Sequence, residues 1–383
     1  MSVTMPRGFR ASGVTAGLKA SGKPDVALVV NDGPSDVAAA VFTTNRCKAN
    51  PVLWSEQVVA GGRAKAVVLN SGGANCYTGP QGFQTTHASA ELVAAKLGIG
   101  AIDVVVCSTG LIGEQLERGK LTTGIEQAVA TLSDTGGQDA AEAIMTTDTR
   151  SKQAVREASG WSVGGMAKGA GMLAPALATM LVVVTTDAAV DAATADRALR
   201  AATRVTFDRL DSDGCMSTND TVLLMCSGAS GVTPDEAEFT AAVTDVCHDL
   251  AQQLLGDAEG AEHDIAIEVV NAATEDDAVE VGRAIARSNL FKTAVYGKDP
   301  NWGRILASVG TTSAAFEPTA LDVAFNGVWV CRGGEPGESR ELVDLNDRAV
   351  TVTVDLKAGD EKATIWTNDL THAYVHENSA YST

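Results

Sequence analysis

Proline and aromatic residues are scarce in this chain of 383 residues, at 10 prolines and 4% aromatics against 38 glycines. That balance, with ordinary apolar and charged content, excludes a fibrous or low-complexity chain and fits a compact α/β enzyme. No run of Lys and Arg interrupts the formal net charge of -19, so a nucleic-acid partner is not expected. No apolar stretch is long enough to span a bilayer. Met1 to Gly13 carries Arg7 and Arg10 but no apolar core of a signal peptide, so neither export nor anchoring is expected. The seven cysteines are odd in number and contain no C-x-x-C pair, which excludes a disulfide framework and reads as reduced thiols in the cytoplasm. The five histidines show no ligand spacing, so no metal site and no cofactor is expected.

At this length two lobes, or one large sandwich with a smaller domain, are expected. In the first half β-branched runs at Asp25–Val30, Val37–Thr44, Ala64–Leu69 and Val104–Ser108 alternate with helical spacing at Gln84–Leu97 and Thr122–Leu132. The second half repeats the alternation. Strands are expected at Thr179–Thr186, Thr221–Cys226 and Ile265–Val270, and helices at Thr194–Arg204, Asp235–Leu255 and Asp277–Ser288. Short strands follow at Leu321–Phe325, Val328–Cys331, Ala349–Leu356 and Ala363–Thr367, the last two joined by a hairpin-like turn at Lys357–Glu361. The expected fold class is a layered α/β sandwich with a more β-rich carboxyl-terminal lobe.

The stretch Gly164 to Thr186 carries the most chemistry. A flexible Gly-rich segment meets Pro175, and Thr179 heads the apolar run Met180-Leu181-Val182-Val183-Val184. A hydroxyl there is held rigidly yet reachable, and the small Ala178 leaves its carbonyl open to attack. Gly169-Ala170-Gly171-Met172-Leu173-Ala174 superficially matches a dinucleotide fingerprint, but Pro175 and a β-branched run follow it instead of a helix, so that reading is rejected. By itself a Thr at a strand start is ordinarily only a good β-former.

Lys168 to Leu181 resembles the self-cleavage signature of the ornithine acetyltransferase (glutamate N-acetyltransferase) family, which splits an Ala-Thr bond followed by Met-Leu. Blocks along nearly the whole chain agree in order and spacing. They include Pro6-Arg7-Gly8-Phe9, Asn70-Ser71-Gly72-Gly73-Ala74-Asn75, Ser108-Thr109-Gly110, Ile144 to Thr149, Ser217-Thr218-Asn219-Asp220 and Asp299-Pro300-Asn301-Trp302-Gly303-Arg304. Ala258 and Asn368 depart from the family's usual residues.

The resemblance implies an amino-terminal-nucleophile-like fold, cleavage into chains 1–178 and 179–383, and an α2β2 assembly of the cleaved chains. It implies that Thr179 attacks first the Ala178 carbonyl and then the acetyl group of N2-acetylornithine, which passes to glutamate in arginine biosynthesis. Acetyl-CoA as a second donor stays open. The α-amine freed on Thr179 has a reference pKa of about 7.7 to 8.0, so it can take the hydroxyl proton near neutrality. Thr109 and Gly110 match the oxyanion hole, where a hydroxyl and a backbone N–H would meet developing negative charge. Lys168, Thr146, Thr147, Glu259, Asn378 and Thr383 match substrate-contact positions, with the choice between Thr146 and Thr147 open. Outside the resemblance each has an ordinary alternative: a strand-ending turn, a solvated Lys, a helix-end carboxylate or a frayed terminus. Cys107 reads as a small buried filler. An autoprocessed hydrolase or aminopeptidase, which hands the acyl group to water, is the competing enzyme reading. An inactive assembly subunit is the non-enzymatic one.

Overall fold

The computed structural model describes residues 2–171 and 180–380. The chain divides into two compact units, Met1–Asp208 with Cys215–Asp257, and Arg209–Gly214 with Ala258–Ser382. The first unit takes strands and helices from both sides of residue 179.

In the first unit the strands are β1 (Phe9–Val14), β2 (Val26–Asn31), β3 (Val37–Phe42), β4 (Ala66–Asn70), β5 (Val104–Ser108), β6 (Lys152–Glu157), β7 (Ser162–Lys168), β8 (Leu181–Thr186) and β9 (Thr221–Cys226). The helices are α1 (Asn50–Val59), α2 (Gly79–Leu97), α3 (Arg118–Ala130), α4 (Gly137–Ala143), α5 (Ala192–Val205) and α6 (Glu236–Leu255). One sheet has the order β1-β2-β4-β5 and the other β3-β9-β8-β7-β6. Every residue of β2, β8 and β9 is buried, which explains why these strands read as continuous β-branched runs without alternation. Leu28, Val67 and Val105 of the first sheet share one core with Met166, Leu181 and Leu223 of the second. Helices α5 and α6 pack on each other and on the five-stranded sheet, so the unit is layered as expected. Their starts follow from sequence: Asp191 caps α5 at Thr194 N (2.7 Å) and Asp235 caps α6 at Ala237 N (2.9 Å).

The flexible segment expected around Gly164 is instead buried strand. A Cβ on Gly164 would lie 2.2 Å from the Ser2 carbonyl oxygen, and one on Gly165 would lie 2.9 Å from both Leu250 and Val246 of α6. These glycines serve close packing, which a composition reading does not distinguish from looseness.

The second unit holds β10 (Asp264–Ala272), α7 (Glu275–Ala286), α8 (Asn289–Tyr296), α9 (Trp302–Val309), β11 (Asp322–Phe325), β12 (Val328–Arg332), β13 (Glu335–Pro336), β14 (Ala349–Asp355), β15 (Glu361–Asn368) and α10 (His372–Ala380). Its sheet runs β13-β12-β11-β14-β10-β15, and it is richer in strand relative to helix than the first unit. The expected hairpin at Lys357–Glu361 does not form. β10 lies between its two arms, parallel to β14 and antiparallel to β15. Burial alternates along β10, since α7 covers one face of this sheet. Asn301 caps α9 at Arg304 N (3.2 Å), so that resemblance block serves a helix start. Asn368 is satisfied by Ser212 at 2.6 Å, the His263 carbonyl at 3.2 Å and Asp264 at 3.0 Å.

Candidate active site

Four strand ends of the first unit form the candidate site: β5 and β7 end there, while β8 and β9 begin there. Beyond β5, Thr109 is held through its backbone, donating to the Asn70 carbonyl (3.0 Å) and accepting from Gly73 N (3.0 Å). Gly110 has φ of +129°, and a Cβ on it would lie 2.8 Å from Gly73 N, so only glycine fits this turn. Among the described residues the Gly110 N–H has no acceptor. Asn219 ties the loops together, its Nδ2 donating to Ala74 O (2.6 Å) and Ser108 O (2.8 Å). The Cys107 thiol behind them is 3% exposed, and burial pushes it up to about 12, which leaves it an inert filler.

Lys168, the last residue of β7, is 1% exposed and extends its ammonium to Thr109 Oγ1 at 3.2 Å. An ammonium only donates, so the Thr109 oxygen accepts and the hydroxyl proton must point elsewhere. The charge also makes that proton a stronger donor. Thr109, Gly110 and Lys168 are thus brought together at these strand ends.

Asp148 is a residue the sequence reading did not single out. Its Oδ1 accepts from Gly169 N at 2.7 Å and from Lys152 Nζ at 2.6 Å, and its Oδ2 accepts from Thr146 N at 2.9 Å. Burial would raise this carboxyl, but the Lys168 and Lys152 charges and the Gly169 amide outweigh it and hold Asp148 down to about 2. Lys152 bridges on to Asp257 Oδ2 at 2.6 Å, and Asp257 bonds Thr149. Lys19 donates to the Pro24 and Met145 carbonyls at 2.7 and 2.6 Å. Burial pulls its ammonium down to about 8, opposed by Asp25 and reinforced by Lys168. Asp148 lies inside a block that carries the resemblance. Asp148 and Lys152 are four residues apart and Lys168 lies on the strand paired with that of Lys152, whereas Lys19 and Asp257 come from distant parts of the chain.

Of the other expected residues, the Thr146 hydroxyl lies 3.5 Å from Asp148 Oδ2, while Thr147 is half-buried and its hydroxyl has no described partner. Glu259 and Asn378 belong to the second unit. There the Glu259 loop abuts the start of α10: a Cβ on Gly260 would lie 2.2 Å from Tyr374 N, and Asn378 donates to the Tyr374 carbonyl at 3.0 Å. Ala178, Thr179 and Thr383 lie outside the described residues.

A hydroxyl polarised by a buried ammonium, beside a glycine N–H in a strained turn, is the equipment of an enzyme that stabilises an oxyanion during acyl transfer. A profile of the ArgJ family matches residues 10–383. The chain is 66% identical over 382 residues to the arginine biosynthesis bifunctional protein ArgJ of Streptomyces coelicolor, and 65% identical to that of Thermobifida fusca, with all of each chain covered. Among solved structures, the ArgJ protein of Bacillus halodurans is 38% identical with a TM-score of 0.50, covering 52% of this chain and 98% of its own. An ornithine acetyltransferase from Mycobacterium tuberculosis, complexed with ornithine, is 57% identical with a TM-score of 0.45, covering 45% of this chain and 94% of its own. The chain belongs to the ArgJ family, and it is an acyltransferase of arginine biosynthesis.

Proposed function

We propose that the chain cuts itself between Ala178 and Thr179 and then carries the acetyl group of N2-acetylornithine to glutamate on the Thr179 hydroxyl. The observation that carries this reading is the Lys168 to Thr109 contact of 3.2 Å beside Gly110. In the first step the Thr179 oxygen adds to the Ala178 carbonyl, the C–N bond breaks, and the nitrogen takes the proton. Water then opens the ester, leaving a carboxylate on Ala178 and a free α-amine on Thr179. That amine takes the hydroxyl proton as Thr179 attacks the acetyl group, and the proton passes to the departing ornithine amine. The glutamate amine then attacks the acetyl ester and releases N-acetylglutamate.

Thr109 and Gly110 serve as donors to the oxyanion in each step. Lys168 sharpens the Thr109 donor and contacts substrate, and we assign the substrate side of the Thr146-Thr147 pair to Thr147, since Thr146 is turned onto Asp148. Glu259, Asn378 and Thr383 complete the proposed substrate contacts. The length of the Bacillus halodurans chain, which covers 52% of this one, supports division into chains 1–178 and 179–383. The central sheet joins β3, β6 and β7 to β8 and β9, so the fragments stay together after the cut, and we place two such pairs in an α2β2 assembly. The seven cysteines, odd in number and without a C-x-x-C pair, support a cytoplasmic location. The relatives are called bifunctional, which supports a second activity, and we assign to it acetyl-CoA as a second donor to glutamate.

The test is an assay of the purified protein with acetylornithine or acetyl-CoA, with and without glutamate, alongside amino-terminal sequencing of its fragments. Expected are two fragments, the second beginning Thr-Met-Leu-Val, and turnover that requires glutamate. An intact but fully active chain would sink the self-cleavage. Acetylornithine hydrolysis unaffected by glutamate would make the protein a hydrolase instead.

A further inference from the structure

Strands β8 and β9 run parallel with Leu181 opposite Thr221. One residue earlier the ladder changes partner. Thr221 N donates to the Met180 carbonyl at 3.2 Å, but Met180 N donates to the side chain of Asp220, at Oδ1, 3.0 Å away. Met180 N is bonded to the carbonyl carbon of Thr179. The Asp220 carboxyl therefore grips the peptide unit that immediately follows the proposed nucleophile. Across β7 the same device recurs at Gly169 N, which donates to Asp148.

The two carboxyls differ in how fully they are used. Asp148 takes bonds on both oxygens, whereas Asp220, with 0% exposure, has an Oδ2 without a hydrogen-bond partner among the described residues. A buried polar atom left unpaired is a cost that Asp211 bears too, so what sets Asp220 apart is its bond to Met180 N. Burial drives the Asp220 carboxyl well above the usual range, opposed by the Met180 amide, the Lys168 charge and the Ser217 amide. A neutral carboxylic acid still offers a carbonyl oxygen to Met180 N.

We infer that Asp220 is a positioning residue for Thr179, clamping the Thr179–Met180 peptide so that the hydroxyl is set for both the self-cleavage and the acetyl transfer. The inference rests on the proposed nucleophile. A rigid clamp matters because small displacements of a reacting oxygen carry large rate penalties. Asp220 lies in a block that carries the resemblance, but only the start of β8 against β9 gives it a role.

The test follows self-cleavage by denaturing electrophoresis, and turnover with acetylornithine and glutamate, in the full chain carrying Asp220→Asn, Asp220→Leu or Thr179→Ala. Asn keeps a carbonyl oxygen facing Met180 N and should restore cutting and kcat close to wild type. Leu fills the volume without an acceptor. It should slow cutting, and the kcat of any cut enzyme, by about a hundredfold while both KM values hold. Wild-type rates in Asp220→Leu would overturn the inference, as would an Asn variant as slow as the Leu one. If the Leu variant does not fold, Asp220→Glu, which shifts the acceptor by one methylene, takes its place. Slow cutting at an unchanged KM then supports the clamp, and wild-type rates overturn it. Cutting of Thr179→Ala at the same bond removes the nucleophile reading itself. An uncut Thr179→Ala beside a fast Asp220→Leu removes only the clamp.

Discussion

Each unit buries a carboxylate next to cations, and the two carboxylates Asp148 and Asp211 resolve the conflict in opposite directions. In the first unit Asp148 is wrapped by Lys152, Lys168 and the amides of Thr146 and Gly169, and its carboxyl falls to about 2. In the second unit Asp211 has Arg287 at 2.8 Å on one oxygen, while its other oxygen is buried and unpaired among the described residues. There burial outweighs Arg287, and the carboxyl rises to about 6. Whether a buried carboxylate stays charged is thus decided by how many of its lone pairs are met, and burial alone does not fix the answer. The ion network of the first unit reaches Thr109 through Lys168. That of the second holds a sheet and its helices together.

The largest effect expected from this contrast is at Lys152, whose ammonium is wholly buried between Asp148 and Asp257. Lys152→Met leaves two carboxylates without their shared cation and should cost about 3 to 5 kcal/mol, read as a lowered urea midpoint. A loss no larger than that of an exposed pair such as Arg200 with Asp196 would break the comparison. Next comes catalysis. Thr109→Ala should lower kcat about a hundredfold, or about 2.7 kcal/mol, without lowering the unfolding midpoint. An unchanged kcat would return Thr109 to a simple strand-ending turn.

Acid titration sharpens the contrast further. Asp148 has its native carboxyl lowered, so its contribution is complete above the ordinary value near 3.8 and is lost as pH falls toward about 2, by about 2 kcal/mol. Asp211 has its native carboxyl raised, so ionisation costs stability as pH rises from 3.8 to about 6, by about 3 kcal/mol at full effect. Asp211→Asn should therefore flatten stability across pH 4 to 6, and Asp148→Asn should flatten it below pH 4, as followed by urea unfolding at each pH. Matching pH slopes in wild type and variant would refute the assignment for that residue. The smallest effect is at Asn301, where removal of a helix cap by Asn301→Ala should cost about 1 kcal/mol in unfolding and leave kcat unchanged.

The sequence alone determined the strand and helix periodicities of both halves, because β-branched runs and capping residues act locally. β2, β5, β9 and α6 fall within a few residues of their expected spans. It also carried the family resemblance, and with it Thr109, Gly110 and Lys168. Tertiary structure decided what distant pairing controls. It made the Gly164-Gly165 stretch a buried strand, since only the approach of Ser2 and α6 shows why a side chain is excluded. It inserted β10 between β14 and β15, since hairpin turn chemistry does not reveal a third strand taking the inner hydrogen bonds. It also assembled the polar floor of the site, bringing Lys19, the Asp148–Lys152 pair, Lys168 and Asp220 together from loops and strand ends. Local propensity has no term for such meetings. They follow from strand register, and register is settled by the packing of whole sheets.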